Sequence, residues 1–164
     1  MYDRVEIAGV PAYLVGGGKK AVICFHSFRG SKKAILKIAS KIADQGFLVL
    51  APDAVLHGER GQGDVGVMVR KDPLLFARIV KETGDEVSAF IDYLIGRLGS
   101  ISVGIIGFSM GGFITYRAVA VEKRISVAVA VVAGSISEML KTSQRARNKG
   151  GLTLKDLELS LIHI

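Results

Sequence analysis

Residues 101–121 read ISVGIIGFSMGGFITYRAVAV, and they contain the most informative pattern in the chain. The apolar run Ile101–Ile106 predicts a buried strand, and Phe113–Val121 predicts a helix, so GFSMGG must be the turn that joins them. The turn carries the pattern Gly-x-Ser-x-Gly, with Ser109 at its centre. A serine raised on a sharp turn from a strand to a helix is a candidate nucleophile.

The glycines of this turn predict a specific geometry around Ser109. Gly107 and Gly111 remove the side chains that would keep the strand and the helix apart. The helix would direct its first, unpaired N–H groups toward the serine, so the N–H of Met110 can face a developing oxyanion. Gly-x-Ser-x-Gly also arises by chance, and it is the strand before it and the helix after it that favour a catalytic serine.

Length and composition are those of an ordinary globular domain. The chain has 164 residues, of which 49% are hydrophobic and 23% are charged, and this suits one domain with a sizeable core. It contains no apolar run long enough to span a membrane, and its first residues lack the pattern of a signal peptide. The single cysteine, Cys24, lies in an apolar strand pattern. We therefore expect an inert core thiol, a cytoplasmic location and no membrane partner.

The formal net charge of +7 raises the question of a nucleic-acid partner. The basic residues are scattered, and the only local cluster comprises Lys141, Arg145, Arg147 and Lys149. No aromatic residues are interleaved there to stack on bases. The sequence therefore favours a solvated basic surface, and we expect no nucleic-acid partner.

Strand and helix patterns alternate along the chain. The predicted elements are, in order, a hairpin over Val5–Val15, a strand over Ala21–Phe25, a helix with apolar residues from Ile35 to Ile42, a strand over Phe47–Ala51, helices over Pro73–Lys81 and Asp85–Leu98 with a break or kink at Gly84, and a strand over Ser126–Ala133 buried on both faces. Strands joined by helices pair in parallel through right-handed crossovers. We therefore expect a three-layer α/β/α sandwich with a mostly parallel sheet.

Three loops fall at the carboxyl ends of the predicted strands, where ligands of such sheets bind. They contain HSFRG at 26–30, APDAVLHGERG at 51–61 and GFSMGG at 107–112. Together these loops resemble those of the α/β-hydrolase family, and within it the small esterases of the dienelactone-hydrolase and prolyl-oligopeptidase-like groups. The resemblance covers roughly Ala21–Gly134. It implies a carboxylic-ester hydrolase that forms an acyl-enzyme on Ser109, takes a small-molecule ester and needs no metal or cofactor.

The resemblance also assigns the oxyanion hole, the pair of N–H donors that holds the negative oxygen formed during acyl transfer. Met110 would supply one N–H group. Phe28 would supply the second, because His26–Gly30 corresponds to the family's His-Gly-x-x-Gly loop. Ser27 stands where that loop has glycine.

Two histidines and one arginine precede Ser109 in these loops. We expect His26 to hold the oxyanion loop in place. For His57 the residues favour organising its own loop or forming a pocket wall over acting as the base. Two roles are open for Arg60, either contact with a polar or acidic group of the substrate or simple exposure to solvent.

The base that would activate Ser109 is missing from its expected place. This fold orders its triad as nucleophile, acid and histidine, but His163 is the only histidine after Ser109. The last six residues, LSLIHI at 159–164, look like the in-frame translation of a sequencing-library adapter. We expect 1–158 to be a partial α/β-hydrolase domain, incomplete at its C-terminus, and 159–164 to be a non-native scar. A natural amphipathic terminus is the alternative.

An incomplete domain should have little serine-hydrolase activity and should leave Ser126–Ala133 as an apolar edge strand. Other functions remain open, namely a peptidase or thioesterase of the same fold and a non-catalytic hydrolase-like binding domain. Gly61–Gly66 matches the dinucleotide pattern Gly-x-Gly-x-x-Gly. No strand precedes it closely and no helix is predicted to follow at once, so we expect a flexible loop over the mouth of the site.

Overall fold

A six-stranded mixed sheet forms the centre of the computed structural model, which describes residues 1–99 and 102–131. The strands are β1 (Tyr2–Ile7), β2 (Val10–Val15), β3 (Lys20–Phe25), β4 (Phe47–Pro52), β5 (Val103–Phe108) and β6 (Ile125–Val131). Their order across the sheet is β1-β2-β4-β3-β5-β6. Strands β4, β3, β5 and β6 are parallel to one another. The β1–β2 hairpin pairs with β4 through β2, in antiparallel orientation. The predicted mostly parallel sheet is confirmed.

Helices connect the parallel strands, as the crossover rule requires. Within the described residues they are α1 (Lys32–Ala43), α2 (Val65–Lys71), α3 (Leu74–Asp85), α4 (Val87–Leu98) and α5 (Met110–Val121), with one 3₁₀ turn at Gly58–Arg60. None of these helices is both long and apolar enough to cross a membrane. The helix predicted over Asp85–Leu98 corresponds to α4, and the one predicted over Phe113–Val121 begins earlier, at Met110.

Two local predictions were wrong. The break expected at Gly84 does not occur there, because α3 continues through Gly84 and the chain turns at Glu86. Gly84 instead lies where α3 packs on α5, and a Cβ on it would come within 2.4 Å of Arg117 Cγ. No helix was expected directly after Gly61–Gly66, yet α2 begins at Val65.

The two faces of the sheet bury separate apolar clusters. One face packs against α1 through residues that include Cys24, Val49, Ile35 and Ala39. The other packs against α3, α4 and α5 through a larger cluster that includes Ile23, Phe25, Leu50, Ile79, Phe90, Leu94 and Ile114. Both faces of the sheet thus carry helices, which is the expected three-layer arrangement. Burial raises the pKa of the Cys24 thiol to about 12, so it stays protonated, as an inert core thiol would.

Strand β6 is, with β1, one of the two edges of the sheet in the part of the chain that the structure describes. It pairs with β5 alone, and the side chains of Val127 and Val129 are 62% and 44% exposed. The burial on both faces predicted for this strand is therefore absent among the described residues. The basic cluster at 141–149 and the predicted scar at 159–164 lie outside the described residues.

An exposed apolar edge strand offers unpaired backbone groups to another chain. We expect the protein to self-associate through β6, and Val129→Lys to raise the monomer fraction because a lysine on an edge strand opposes strand addition. Sedimentation velocity at several concentrations measures this.

The matched control is Val119→Lys, which places the same charge at a similarly exposed valine on α5 and should leave association unchanged. A wild-type protein that is a monodisperse monomer and melts cooperatively would contradict the prediction.

Candidate active site

Ser109 adopts a strained backbone conformation between β5 and α5. Its φ is 51° and its ψ is −113°, a region that costs a residue with a side chain about 1–3 kcal/mol and persists only where its surroundings fix it. The N–H of Ser109 donates to the carbonyl of Val131 at 2.6 Å, and its own carbonyl accepts from Gly112 N–H at 2.8 Å. The serine is therefore held at the apex of a sharp turn.

Close backbone contacts explain why glycines flank this serine. A Cβ on Gly107 would lie 1.9 Å from the carbonyl oxygen of Gly111. A Cβ on Gly111 would lie 2.6 Å from the carbonyl oxygen of Phe25 and 2.9 Å from that of His26. Real Cβ atoms do not approach so closely, so both positions require glycine. The start of α5 consequently presses against the end of β3, where the loop that contains Phe28 begins.

His26 fastens this loop to the neighbouring one. Its Nε2 accepts the N–H of Ala54 at 3.1 Å, so Nδ1 carries the proton and donates it to the carbonyl of Ser27 at 2.9 Å. Burial lowers the pKa of His26 to about 4, and the ring is neutral at physiological pH. With both nitrogens committed, His26 holds the loop that presents Phe28 and is not placed to act as a base.

The ring of His57 is held through one of its two nitrogens. Its Nδ1 donates to the carbonyl of Val55 at 2.8 Å, whereas Nε2 is buried and has no hydrogen-bond partner among the described residues. Burial lowers the pKa of His57. The ring lies 5.3 Å from His26 and 5.6 Å from Phe28, between ring centres. His57 also lines a polar cleft of about 310 Å³ together with Arg29 and Asp64.

Arg60 is occupied by protein partners. Its guanidinium makes two bonds to the Glu86 carboxylate, at 2.9 and 2.7 Å, and a third to the carbonyl of Asp53 at 3.1 Å. This arrangement ties the loop after β4 to the junction of α3 and α4. Of the two roles left open for Arg60, contact with substrate or exposure to solvent, neither describes this position, and the geometry favours support of the loop.

A buried ion pair beneath these loops was missed by sequence reasoning. Asp53 is fully buried, and Lys32 is 3% exposed. The Asp53 carboxylate accepts the Lys32 ammonium at 2.5 Å, the Lys32 backbone N–H at 2.7 Å and the Glu59 backbone N–H at 3.0 Å. Lys32 also donates to the Glu59 carboxylate at 2.8 Å. The pair joins the start of α1 to the loop after β4.

One sequence signal for this pair was available. Asp53 directly follows a buried strand, at the edge where polar side chains converge. Gly58, a few residues later, has a φ of 55°, and a Cβ there would lie 2.2 Å from the Asp53 carboxylate oxygen Oδ1. The aspartate and the glycine therefore fit together, but no periodicity in the sequence points to Lys32 as the cation.

The Gly-x-Gly-x-x-Gly segment does not form a nucleotide loop in this structure. A 3₁₀ turn rather than a strand precedes it. Although α2 follows it, Asp64 caps that helix by accepting the N–H groups of Gly66 at 2.8 Å and Val67 at 3.2 Å. The carboxylate thus takes the place where a phosphate would bind. No group of three or more metal-ligating side chains occurs within the described ranges.

Comparison with known proteins agrees with this geometry. A model of the dienelactone hydrolase family matches residues 10–149. The chain belongs to this family. It is 30% identical over 113 residues to the putative esterase YitV of Bacillus subtilis (strain 168), covering 68% of this chain and 43% of that protein. The chain thus spans less than half the length of this curated relative.

Solved structures support the same fold. TT1662 from Thermus thermophilus superposes with a TM-score of 0.66 at 24% identity, over 88% of this chain and 66% of that one. The Pyrococcus furiosus esterase Pf2001 superposes with a TM-score of 0.65 at 21% identity, over 91% of this chain and 59% of that one. At these identities the likeness concerns the α/β-hydrolase fold.

The buried pair makes a prediction for stability. Lys32→Met should lower the free energy of unfolding by about 3–5 kcal/mol, because it leaves the Asp53 carboxylate buried without its cation. Urea denaturation followed by circular dichroism measures the change. Asp53→Asn in the Lys32→Met background should recover part of the loss, because it removes the unpaired charge.

Lys33→Met is the matched control, since Lys33 is the exposed neighbour on the same helix and should change stability by no more than about 0.5 kcal/mol. Equal losses for the two methionine variants would show that the pair does not hold these loops.

His26 makes a prediction for pH dependence. A group whose folded pKa lies below its unfolded value stabilises the fold above the unfolded pKa, and this stability is lost as pH falls. For His26 the window runs from pH 6.5 down to about 4, and the lowered pKa corresponds to about 3 kcal/mol of lost stability across it.

His26→Gln keeps an acceptor for the Ala54 N–H but does not titrate, so its stability should fall less steeply across the same window. Unfolding free energies of both proteins at several pH values provide the test, and carboxylates that titrate here cancel in the comparison. Parallel curves for the wild type and the variant would show that His26 is not the titrating group.

Proposed function

We propose that this chain is part of a cytoplasmic serine hydrolase that cleaves small carboxylic esters. The observation that carries the proposal is the backbone of Ser109, with a φ of 51° and a ψ of −113° at the start of α5. A serine in this conformation between a strand and a helix exposes its hydroxyl above the sheet edge. Membership of the dienelactone hydrolase family supports the same reaction class.

The reaction would pass through an acyl-enzyme. Ser109 Oγ attacks the ester carbonyl carbon and loses its proton to a base, and the carbonyl oxygen becomes an oxyanion. Collapse of this intermediate breaks the bond to the alcohol, which leaves with a proton, and water then releases the acyl group. The N–H groups of Met110 and Phe28 would bind the oxyanion, and one such donor is worth about 3 kcal/mol, or roughly a hundredfold in rate.

The position of Phe28 supports the second donor. Its loop leaves β3 at the point where the carbonyls of Phe25 and His26 contact Gly111 on α5. His26 and the bond from Gly30 N–H to the carbonyl of Ser27, at 2.9 Å, fix the loop. A donor held in place before the reaction needs no reorganisation when charge develops, and this is the property that an oxyanion hole requires.

We infer that the acid and the histidine of the triad are encoded beyond residue 158, and that 159–164 is not native sequence. Both ring nitrogens of His26 are hydrogen-bonded to backbone groups, and the Nδ1 of His57 donates to the carbonyl of Val55. The chain covers only 43% of the length of YitV, which leaves room for later elements. Without its base this chain should retain the donors but little turnover.

A fluorophosphonate probe tests this proposal. The 164-residue chain should label only slowly, and Ser109→Ala should abolish that labelling, while Ser88→Ala should leave it unchanged. Residues 1–158 joined to the natural continuation of their reading frame should label rapidly and hydrolyse p-nitrophenyl acetate.

Two outcomes would count against it. Labelling that is independent of Ser109 in both proteins would exclude the nucleophile. Rapid Ser109-dependent labelling of the 164-residue chain, abolished by His163→Ala, would instead place the base within this chain.

A further inference from the structure

We propose that three phenylalanines beside Ser109, namely Phe28, Phe76 and Phe113, form an aromatic wall that binds the apolar part of the ester. The inference rests on the proposed function and adds the substrate class, which is an ester with an aryl group and no charge near the reacting carbonyl. These three residues come from a loop and two helices that are far apart in the sequence, so only the fold brings them together.

The three rings form a continuous ladder. The ring centres of Phe28 and Phe76 lie 5.5 Å apart at an interplanar angle of 62°, and those of Phe76 and Phe113 lie 6.1 Å apart at 81°. These are the edge-to-face arrangements that aromatic pairs prefer. Each ring packs on the core cluster but remains partly exposed. The ladder therefore has a buried side that fixes it and an open side that a ligand can reach.

Helix geometry directs one end of this ladder toward the nucleophile. Phe113 lies in the first turn of α5, which begins directly after Ser109. Side chains on a helix lean toward its N-terminus, so the ring of Phe113 leans toward the turn that carries Ser109. At the other end of the ladder, Phe28 belongs to the loop that would supply the second oxyanion donor. Both ends of the ladder thus belong to segments that adjoin the proposed reacting centre.

The charges near the wall favour a neutral substrate. Arg29, beside Phe28, is engaged with the Asp64 carboxylate at 3.2 Å, and Arg60 is engaged with Glu86. Among the described residues, both arginines of the first two loops therefore have carboxylate partners. The rings offer faces and edges that an aryl group can meet in the same edge-to-face manner.

Fluorine NMR can test the wall separately from catalysis. The protein has seven phenylalanines, and labelling with 4-fluorophenylalanine gives one signal for each, assigned by single Phe→Leu substitutions. In the Ser109→Ala background, phenyl butyrate should shift the signals of Phe28, Phe76 and Phe113. Methyl butyrate, which has the same acyl group, should shift them much less at equal concentration. The signals of Phe47 and Phe90 are internal controls that should not move.

A variant measures the contribution of the wall. Phe76→Leu should weaken phenyl butyrate binding by about threefold to tenfold, as expected for the loss of one or two aromatic contacts, and should leave methyl butyrate binding unchanged. Phe47→Leu, on the opposite face of the sheet, should change neither. Shifts spread equally over all seven signals, or equal binding of the two esters, would overturn the inference.

Failure of this inference is distinguishable from failure of the proposed function. If Ser109 labels with fluorophosphonate but phenyl butyrate leaves the three signals unmoved, the wall is wrong and the nucleophile stands. If the signals move but Ser109 never labels, the wall binds apolar ligands and the hydrolase proposal is wrong.

Discussion

The contact between the start of α5 and the end of β3 is the constraint on which the site depends. Gly107 and Gly111 allow backbone atoms to meet at distances that any side chain would prevent, and Ser109 is left in a conformation that serine does not adopt freely. Such strain persists only because many neighbours fix it. The strained serine therefore implies that the surrounding loops are held with comparable rigidity.

Two polar anchors supply that rigidity at the carboxyl edge of the sheet. His26 joins the loop after β3 to the loop after β4, and Asp53 joins the second of these loops to the start of α1. Both groups are buried, so removing either partner leaves an unsatisfied polar group or charge. The loops at this sheet edge are thus fixed by specific hydrogen bonds in addition to apolar packing, and geometry of this kind is needed to hold donors at a reacting carbonyl.

Much of this arrangement could be predicted from sequence because it follows from local patterns. The apolar runs that became β3, β4 and β5 and the glycines around Ser109 identify the sheet and its turn. What could not be predicted depends on contacts between distant segments. The pairing of Lys32 with Asp53, the engagement of Arg60 by Glu86 and the phenylalanine ladder all join residues separated by 21 or more positions. The periodicity of a sequence does not indicate such contacts, and charge alone does not identify the carboxylate with which a lysine forms an ion pair.

The start of α2 shows the same limit at short range. The helix begins at Val65 because Asp64 caps it. The glycines on both sides of Asp64 favour a loop in the sequence pattern, so the helix start was not predicted. By contrast, a structural role for His26 could be predicted from its place in the HSFRG loop alone. In the structure both of its ring nitrogens bond to backbone groups.

The bond between Ser109 N–H and the carbonyl of Val131 connects the site to the edge of the sheet. Val131 is the last residue of β6 and, with its neighbours Val127 and Val129, is exposed on the described structure. An edge strand, which pairs with another strand on one side only, is held less firmly than a central strand. Any contact that covers β6 would therefore also steady the carbonyl that holds Ser109 in its strained conformation. The local sequence can form the turn that carries Ser109, but the rigidity of this turn depends on what packs beside β6.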